Sequence, residues 1–241
     1  MTFAAKDIPA KDRLIFALDV PTADEAKALV EELGDAVSFY KIGMELLMAG
    51  GYFELLDWLV AKDKKVFVDL KFFDVPATVG KAIAALSDKG ATLATIHGNQ
   101  SIMEAAAKAK SGDLKVLAVT ALTSLDRGDL NDLGFQCEVE ELVLSRAKRA
   151  LEAGVDGVVS SGMEAARLRE FIDHKLLVIT PGIRPVDNTE EDDQKRVMTP
   201  TAALQAGADY LVVGRPIRNA ENRREKALQI QAEIAQAVAA G

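Results

Sequence analysis

The sequence predicts an α/β protein folded as one (β/α)8 barrel, a TIM barrel of eight parallel strands ringed by helices, with residues 1–241 forming a single domain. Three observations carry that prediction. Short apolar, β-branched runs recur eight times, separated by amphipathic stretches with helical spacing. Each run is nearly continuous rather than alternating, as suits a strand covered on both faces. Gly34, Gly90, Gly154 and Gly207 stand where helix C-terminal glycines belong. A doubly wound open sheet is the main rival, but it usually needs fewer strands, and no G-x-G-x-x-G follows the first run.

The first strand is expected at Leu14–Leu18. The helix after it, Thr22–Leu33, opens with Thr22 three residues before Glu25, the spacing of a capping box. The second strand, Ser38–Ile42, leads into the apolar stretch Met44–Ala61, expected as one helix. There Phe53, Leu56 and Trp58 share core spacing, and Met44, Leu47 and Met48 read as helix packing. Strands at Val66–Leu70, Leu93–Ile96 and Val116–Thr120 alternate with helices at Ala77–Lys89 and Ser101–Lys110. The polar, Asp/Gly-rich stretch from Ser124 to Phe135 reads as a loop. Helix Val139–Ala153, strand Gly157–Val159, helix Met163–Phe171 and strand Leu177–Ile179 follow. Helix Thr199–Ala206, strand Tyr210–Val213 and helix Ala220–Ala239 complete the series, and no Pro/Ser/Gly-rich linker divides it.

Composition narrows the function classes. Lys+Arg total 29 and Asp+Glu 37, a net charge of −8, which argues against the basic face that nucleic acid requires. A small anionic ligand is still allowed, because an anion site needs only local donors. The single cysteine, Cys137, rules out an intramolecular disulfide framework and any cysteine-cluster metal site. Two histidines, His97 and His174, leave little for a histidine-rich one. Met1 to Arg13 contains no apolar signal-peptide core, and no segment approaches the roughly 20 apolar residues of a membrane span. The expectation is a cytoplasmic protein with no membrane partner.

In a parallel barrel the active site lies at the C-terminal ends of the strands. Those ends carry Asp19, Lys41, Asp69 with Lys71, His97, Thr123 with Ser124, Ser160 with Ser161, Arg184 and Arg215. Strand ends are polar wherever they meet solvent, which accounts for any one of these but poorly for the set. The densest signal is Asp69-Leu70-Lys71-Phe72-Phe73-Asp74. Residues two apart on an extended strand share a face, so Asp69 and Lys71 are expected to face the barrel mouth together. A lysine beside carboxylates stays protonated, which suits an ammonium that stabilises negative charge and then donates a proton. The plainer alternative is a structural ion-pair cluster closing the barrel top. The second signal is the pair Thr180-Pro181-Gly182-Ile183-Arg184 and Gly214-Arg215, on the two loops that often hold a phosphate in such barrels. Pro185 to Val197, acidic then basic, reads as a lid over that ligand. The sequence around His97 does not separate a ligand contact from a backbone partner.

Six segments together resemble the orotidine 5′-phosphate decarboxylase family, in its bacterial, single-function branch. They are Leu18-Asp19, Tyr40-Lys41-Ile42-Gly43, the run from Asp69 to Pro76, Leu122-Thr123-Ser124, Thr180 to Arg184, and Val213-Gly214-Arg215-Pro216-Ile217. The resemblance implies conversion of orotidine 5′-monophosphate to uridine 5′-monophosphate and CO2, the last step of de novo pyrimidine synthesis, with no metal and no organic cofactor. It implies Lys71 as proton donor to C6, Asp69 beside the substrate carboxylate, and Lys41 bridging the carboxylates and a ribose hydroxyl. Asp19 binds ribose, and Thr123 and Ser124 meet the pyrimidine. Pro181, Arg184, Gln194, Gly214 and Arg215 belong to the substrate site, the last four on the phosphate. Asp74 and Thr78 are given to the neighbouring subunit's site in a homodimer. Ala77 stands where many relatives carry Asn, so that side chain's contact is absent.

Two other classes compete. Metal-dependent sugar-phosphate decarboxylases and hexulose-phosphate synthases share the barrel and D-x-K-x-x-D, but place a carboxylate where this chain has Lys41. A non-catalytic phosphate-ligand sensor would keep Arg184 and Arg215 without needing Asp69, Lys71 and Lys41 crowded together.

Overall fold

The computed structural model describes residues 6–185 and 197–240. Gln194 and nearly all of the expected lid fall outside them. Eight strands close into one parallel barrel in sequence order. They are β1 (Leu14–Ala17), β2 (Phe39–Gly43), β3 (Lys65–Phe72), β4 (Leu93–His97), β5 (Lys115–Val119), β6 (Gly157–Val159), β7 (Leu177–Thr180) and β8 (Tyr210–Val213). The seam closes through β1 and β8, with Leu14 opposite Leu211 and Phe16 opposite Val213.

Two apolar layers explain the near-continuous strand runs. Ile15, Ala17, Phe39, Phe67, Leu93, Leu117, Leu177, Ile179 and Val212 form one buried cluster inside the barrel. The intervening residues, such as Leu14, Phe16, Tyr40, Ile42, Val66 and Val68, join the larger layer under the helices. The two-residue period then fixes what comes next at the top. Ala17 is followed inward by Asp19, Phe39 by Lys41, and Phe67 by Asp69.

The helices are α1 (Ala23–Leu33), α2 (Met44–Ala49), α3 (Tyr52–Ala61), α4 (Pro76–Ser87), α5 (Gln100–Ala109), α6 (Arg127–Asp132) and α7 (Val139–Glu152). Then come α8 (Gly162–Phe171), α9 (Pro200–Gln205), α10 (Arg215–Arg218) and α11 (Arg223–Ala240). Thr22 caps α1 by accepting the Glu25 N–H at 3.1 Å, and its hydroxyl meets the Glu25 carboxylate. Gly34, Gly90, Gly154 and Gly207 all have positive φ. At Gly90 an added Cβ would also lie 2.9 Å from a Val60 methyl.

Three expectations change. The single helix Met44–Ala61 is two, broken at Gly50 and Gly51, both at positive φ. On α2 the faces read as packing are turned outward: Met44 is 59% exposed and Met48 83% exposed. Leu47 and Phe53 are exposed too, while Leu56 is buried and Trp58 packs at the core edge. Apolar spacing marks a face that avoids water but not which surface covers it. Finally, Ser124–Phe135 contains α6, started by a capping box between Asp126 and Asp129. The segment has too little apolar periodicity to announce a helix, and local capping supplies the signal instead.

Candidate active site

The barrel mouth holds a cavity of about 380 Å³. Asp19, Lys41, Asp69, Lys71, Thr123, Pro181, Arg184, Gly214 and Arg215 all line it, from six of the eight strand ends. Four of these form a chain of alternating charge. Lys41 Nζ lies 2.9 Å from Asp19 Oδ1 and 3.7 Å from Asp69 Oδ2, and Lys71 Nζ lies 3.0 Å from Asp69 Oδ1. Lys41 and Asp69 are the inner pair, with side chains only 12% and 13% exposed.

Burial alone would discharge both inner groups, but the neighbours outweigh it. Burial opposes the charge on Lys41, yet the Asp69 and Asp19 carboxylates hold its ammonium above the ordinary lysine range. Burial likewise opposes ionisation of Asp69, yet Lys41, Lys71 and the hydroxyl of Thr95 hold it below the usual carboxylate range. At neutral pH this inner pair is therefore ionised.

Lys71 does not reach the cavity by simple strand alternation. Its φ is +49°, in the left-handed region. Along β3 the register runs Val68 opposite Ala94, then Phe72 opposite Ile96, so four steps on β3 match two on β4. The bulge re-aims the side chain at the strand end. A non-glycine residue in that conformation costs of order 1–3 kcal/mol and persists only where its surroundings over-determine it. Asp69 and Lys71 do share the cavity as expected, by a route the extended-strand argument does not contain.

The phosphate-loop candidates sit across the mouth. Arg184 lies beside a backbone clip in which its N–H donates to the Met198 carbonyl at 2.8 Å and the Met198 N–H donates to Gly182. Gly214 and Arg215 start α10, and Gly214 passes close to Ala17 and Asp19. An added Cβ there would come within 3.5 Å of the Ala17 Cβ.

Three expected site residues do not line this cavity, and a fourth, Gln194, is outside the described residues. Ser124 is exposed and does not line the cavity, although Thr123 does. Asp74 and Thr78 are exposed, beyond the end of β3 and on α4, and do not line this chain's own cavity. Asp74 Oδ1 accepts the Val75 N–H at 2.6 Å, and Pro76 begins α4, so the chain is already turning away from its own mouth. His97 is also off the cavity. Its ring packs on Phe73 with centroids 4.5 Å apart, and burial, Arg146 and Lys71 all lower its basicity.

Two residues went unnoticed in the sequence. Arg218 lines the cavity, and its guanidinium donates to the Asp19 carbonyl; it hides within the unforeseen helix α10. Thr95 is fully buried and bonds both Asp69 and Lys71. Its inward parity with Leu93 is the one sequence signal that could have found it.

Paired lysines and carboxylates at the mouth, with arginines on the last two loops, define a class: (β/α)8-barrel proteins built to take an anionic ligand and manage charge beside it. Comparison with known proteins narrows that class. The chain belongs to the Orotidine 5′-phosphate decarboxylase / HUMPS family, whose model matches residues 12–230. A relative from Methylococcus capsulatus named orotidine 5′-phosphate decarboxylase is 66% identical over 236 residues, covering 98% of this chain and 97% of its own. One of the same name from Nitrobacter winogradskyi is 48% identical, covering 95% of each chain. The crystal structure of orotidine 5′-phosphate decarboxylase from Lactobacillus acidophilus superposes with a TM-score of 0.82 at 33% identity, covering 92% of this chain and 99% of that one.

Proposed function

We propose that this chain is an orotidine 5′-phosphate decarboxylase, releasing CO2 from orotidine 5′-monophosphate to give uridine 5′-monophosphate without metal or organic cofactor, in the last step of de novo pyrimidine synthesis. The observation that carries the proposal is the Asp19–Lys41–Asp69–Lys71 chain of charges in one cavity with Arg184 and Arg215.

Cleavage of the bond between C6 and the carboxyl carbon leaves the electron pair on C6, in the ring plane, where the π system delocalises it poorly. Preorganised charge must stabilise it. The Lys71 ammonium supplies that charge and then gives its proton to C6. Asp69 orients Lys71, and Lys41 secures Asp69 while reaching toward ribose with Asp19. Thr123, on the cavity wall, meets the pyrimidine, while Ser124 beside it stays outside the cavity. Arg184, Gln194, Gly214 and Arg215 hold the phosphate, with Pro181 in the same substrate site, and the phosphate's binding energy lowers a remote barrier if closure of the loops assembles the site. Purified protein should consume orotidine 5′-monophosphate, seen as loss of its absorbance, equally with and without chelator. Activity abolished by chelator would favour the metal-dependent sugar-phosphate decarboxylase and hexulose-phosphate synthase class, which Lys41 disfavours by repelling a cation. No turnover, with tight phosphate-ligand binding, would favour a sensor.

Arg215→Ala should raise KM for the nucleotide and lower kcat, because each charge-assisted bond contributes roughly 1.5–3 kcal/mol. Turnover of the nucleoside lacking phosphate should fall far less. Equal losses for both substrates would place Arg215 away from the phosphate.

The same proposal includes a homodimer in which Asp74 and Thr78 complete the partner's site. Support comes from exposed apolar residues on two segments: Phe73 and Val75, which flank Asp74 in the turn after β3, and Met44, Leu47 and Met48 on α2, which follows the adjacent strand β2. A patch of that kind marks an association surface. The cytoplasmic expectation rests on the sequence alone.

A further inference from the structure

We propose that Thr95, on β4, is a positioning residue for the reaction: its buried hydroxyl sets the direction of the Asp69 carboxylate and holds the Lys71 backbone in the left-handed turn from which the ammonium enters the cavity. The proposal rests on the decarboxylase function argued above. Thr95 lies at the centre of the β3 bulge. Residues 69–71 pass between the Val68–Ala94 and Phe72–Ile96 pairings, and Thr95 alone stands opposite them on β4. A regular ladder would send the Lys71 N–H to a β4 carbonyl. Here it goes to Thr95 Oγ1 at 2.9 Å, and the same hydroxyl lies 2.9 Å from Asp69 Oδ1.

The polarity of this junction is fixed by chemistry. A carboxylate only accepts and a backbone N–H only donates. The single hydroxyl hydrogen must therefore point to Asp69, which leaves a lone pair for Lys71. One buried oxygen thus ties the carboxylate and the strained residue to the rigid strand β4. Asp69 Oδ1 accepts from the Lys71 ammonium as well, so the lysine is held at both its backbone and its tip. Thr95 does not line the cavity, so it acts on the reaction through these two neighbours.

Thr95→Val removes the hydroxyl and keeps the branched shape, while Thr95→Ser keeps the hydroxyl. Thr95→Val is expected to lower kcat on the order of 10²-fold, the effect of a slight misplacement of reacting groups. Its affinity for uridine 5′-monophosphate should stay within about threefold of the wild type, since the phosphate loops are untouched. Thr95→Ser should recover most of the lost kcat. Thr95→Ala removes the same hydroxyl and is held to the same outcomes should the valine variant not fold. A kcat within about threefold of wild type for the hydroxyl-free variants would overturn the role. So would equal damage in Thr95→Ser, or a parallel loss of product affinity, which marks general disruption rather than positioning. Wild-type protein inactive on orotidine 5′-monophosphate would instead overturn the decarboxylase function itself, and the role of Thr95 with it.

Discussion

Lys71→Ala is expected to lower decarboxylation by at least about 10⁴-fold while leaving affinity for uridine 5′-monophosphate nearly intact. Lys71 performs two duties in the proposed reaction. Removing a preorganised stabilising group costs on the order of 10²–10³-fold in kcat, and removing a positioned proton donor a further 10²–10⁴-fold. One substitution removes both duties at once, and the low ends of the two ranges multiply to about 10⁴. The fold should survive. Alanine keeps the Cβ, so the strain at φ +49° is little changed. Asp69 also keeps Lys41 at 3.7 Å and Thr95 at 2.9 Å, so no buried carboxylate is stranded. Product affinity is the informative control, because the product lacks the carboxylate whose binding Lys71 and Asp69 influence. Turnover near the wild-type rate would exclude Lys71 as the proton donor. Lost product affinity alongside lost turnover would mean that the substitution had disturbed the phosphate loops.

The barrel and most of the mouth were legible in the sequence because one rule, the two-residue strand period, governs both. Ile15, Ala17 and Asp19 occupy successive inward positions, so the apolar interior and the polar rim come from the same alternation. The rule fails where the strand is irregular. Nothing in the run Val68 to Phe72 announces that Lys71 takes a positive φ, because the bulge depends on what β4 offers opposite it. For the same reason Thr95 was passed over: a threonine inside an apolar strand reads as an ordinary β-branched filler. The outward faces of α2 were misjudged for a different reason. Periodicity on Met44, Leu47 and Met48 records that a surface avoids water and does not say what covers it. The helix α6 escaped because its start is written in two aspartates, Asp126 and Asp129, rather than in apolar spacing.

That unsatisfied surface leads to the second large effect, a recovery of activity from two inactive proteins. Lys71→Ala and Asp74→Ala should each be nearly inactive when pure. Asp74 is exposed and turned away from its own cavity, with Pro76 starting α4 just beyond it, so its carboxylate is available to a neighbour. A two-fold interface brings the same patch of both subunits together and exchanges the segment reciprocally. In a mixed dimer, one site combines Lys71 from one chain with Asp74 from the other and is intact. The other site carries both defects. Random pairing makes half the dimers mixed, each with one working site in two, so activity should return to about one quarter of wild type per total protein. Recovery should follow the kinetics of subunit exchange and vanish when each homodimer is cross-linked beforehand. The measurement is turnover of orotidine 5′-monophosphate against mixing time, with mass spectrometry counting mixed dimers in parallel. Mixed dimers without recovered turnover would mean that Asp74 works within its own chain. In that case the apolar surface on α2 and the β3–α4 turn would hold subunits together without completing a site.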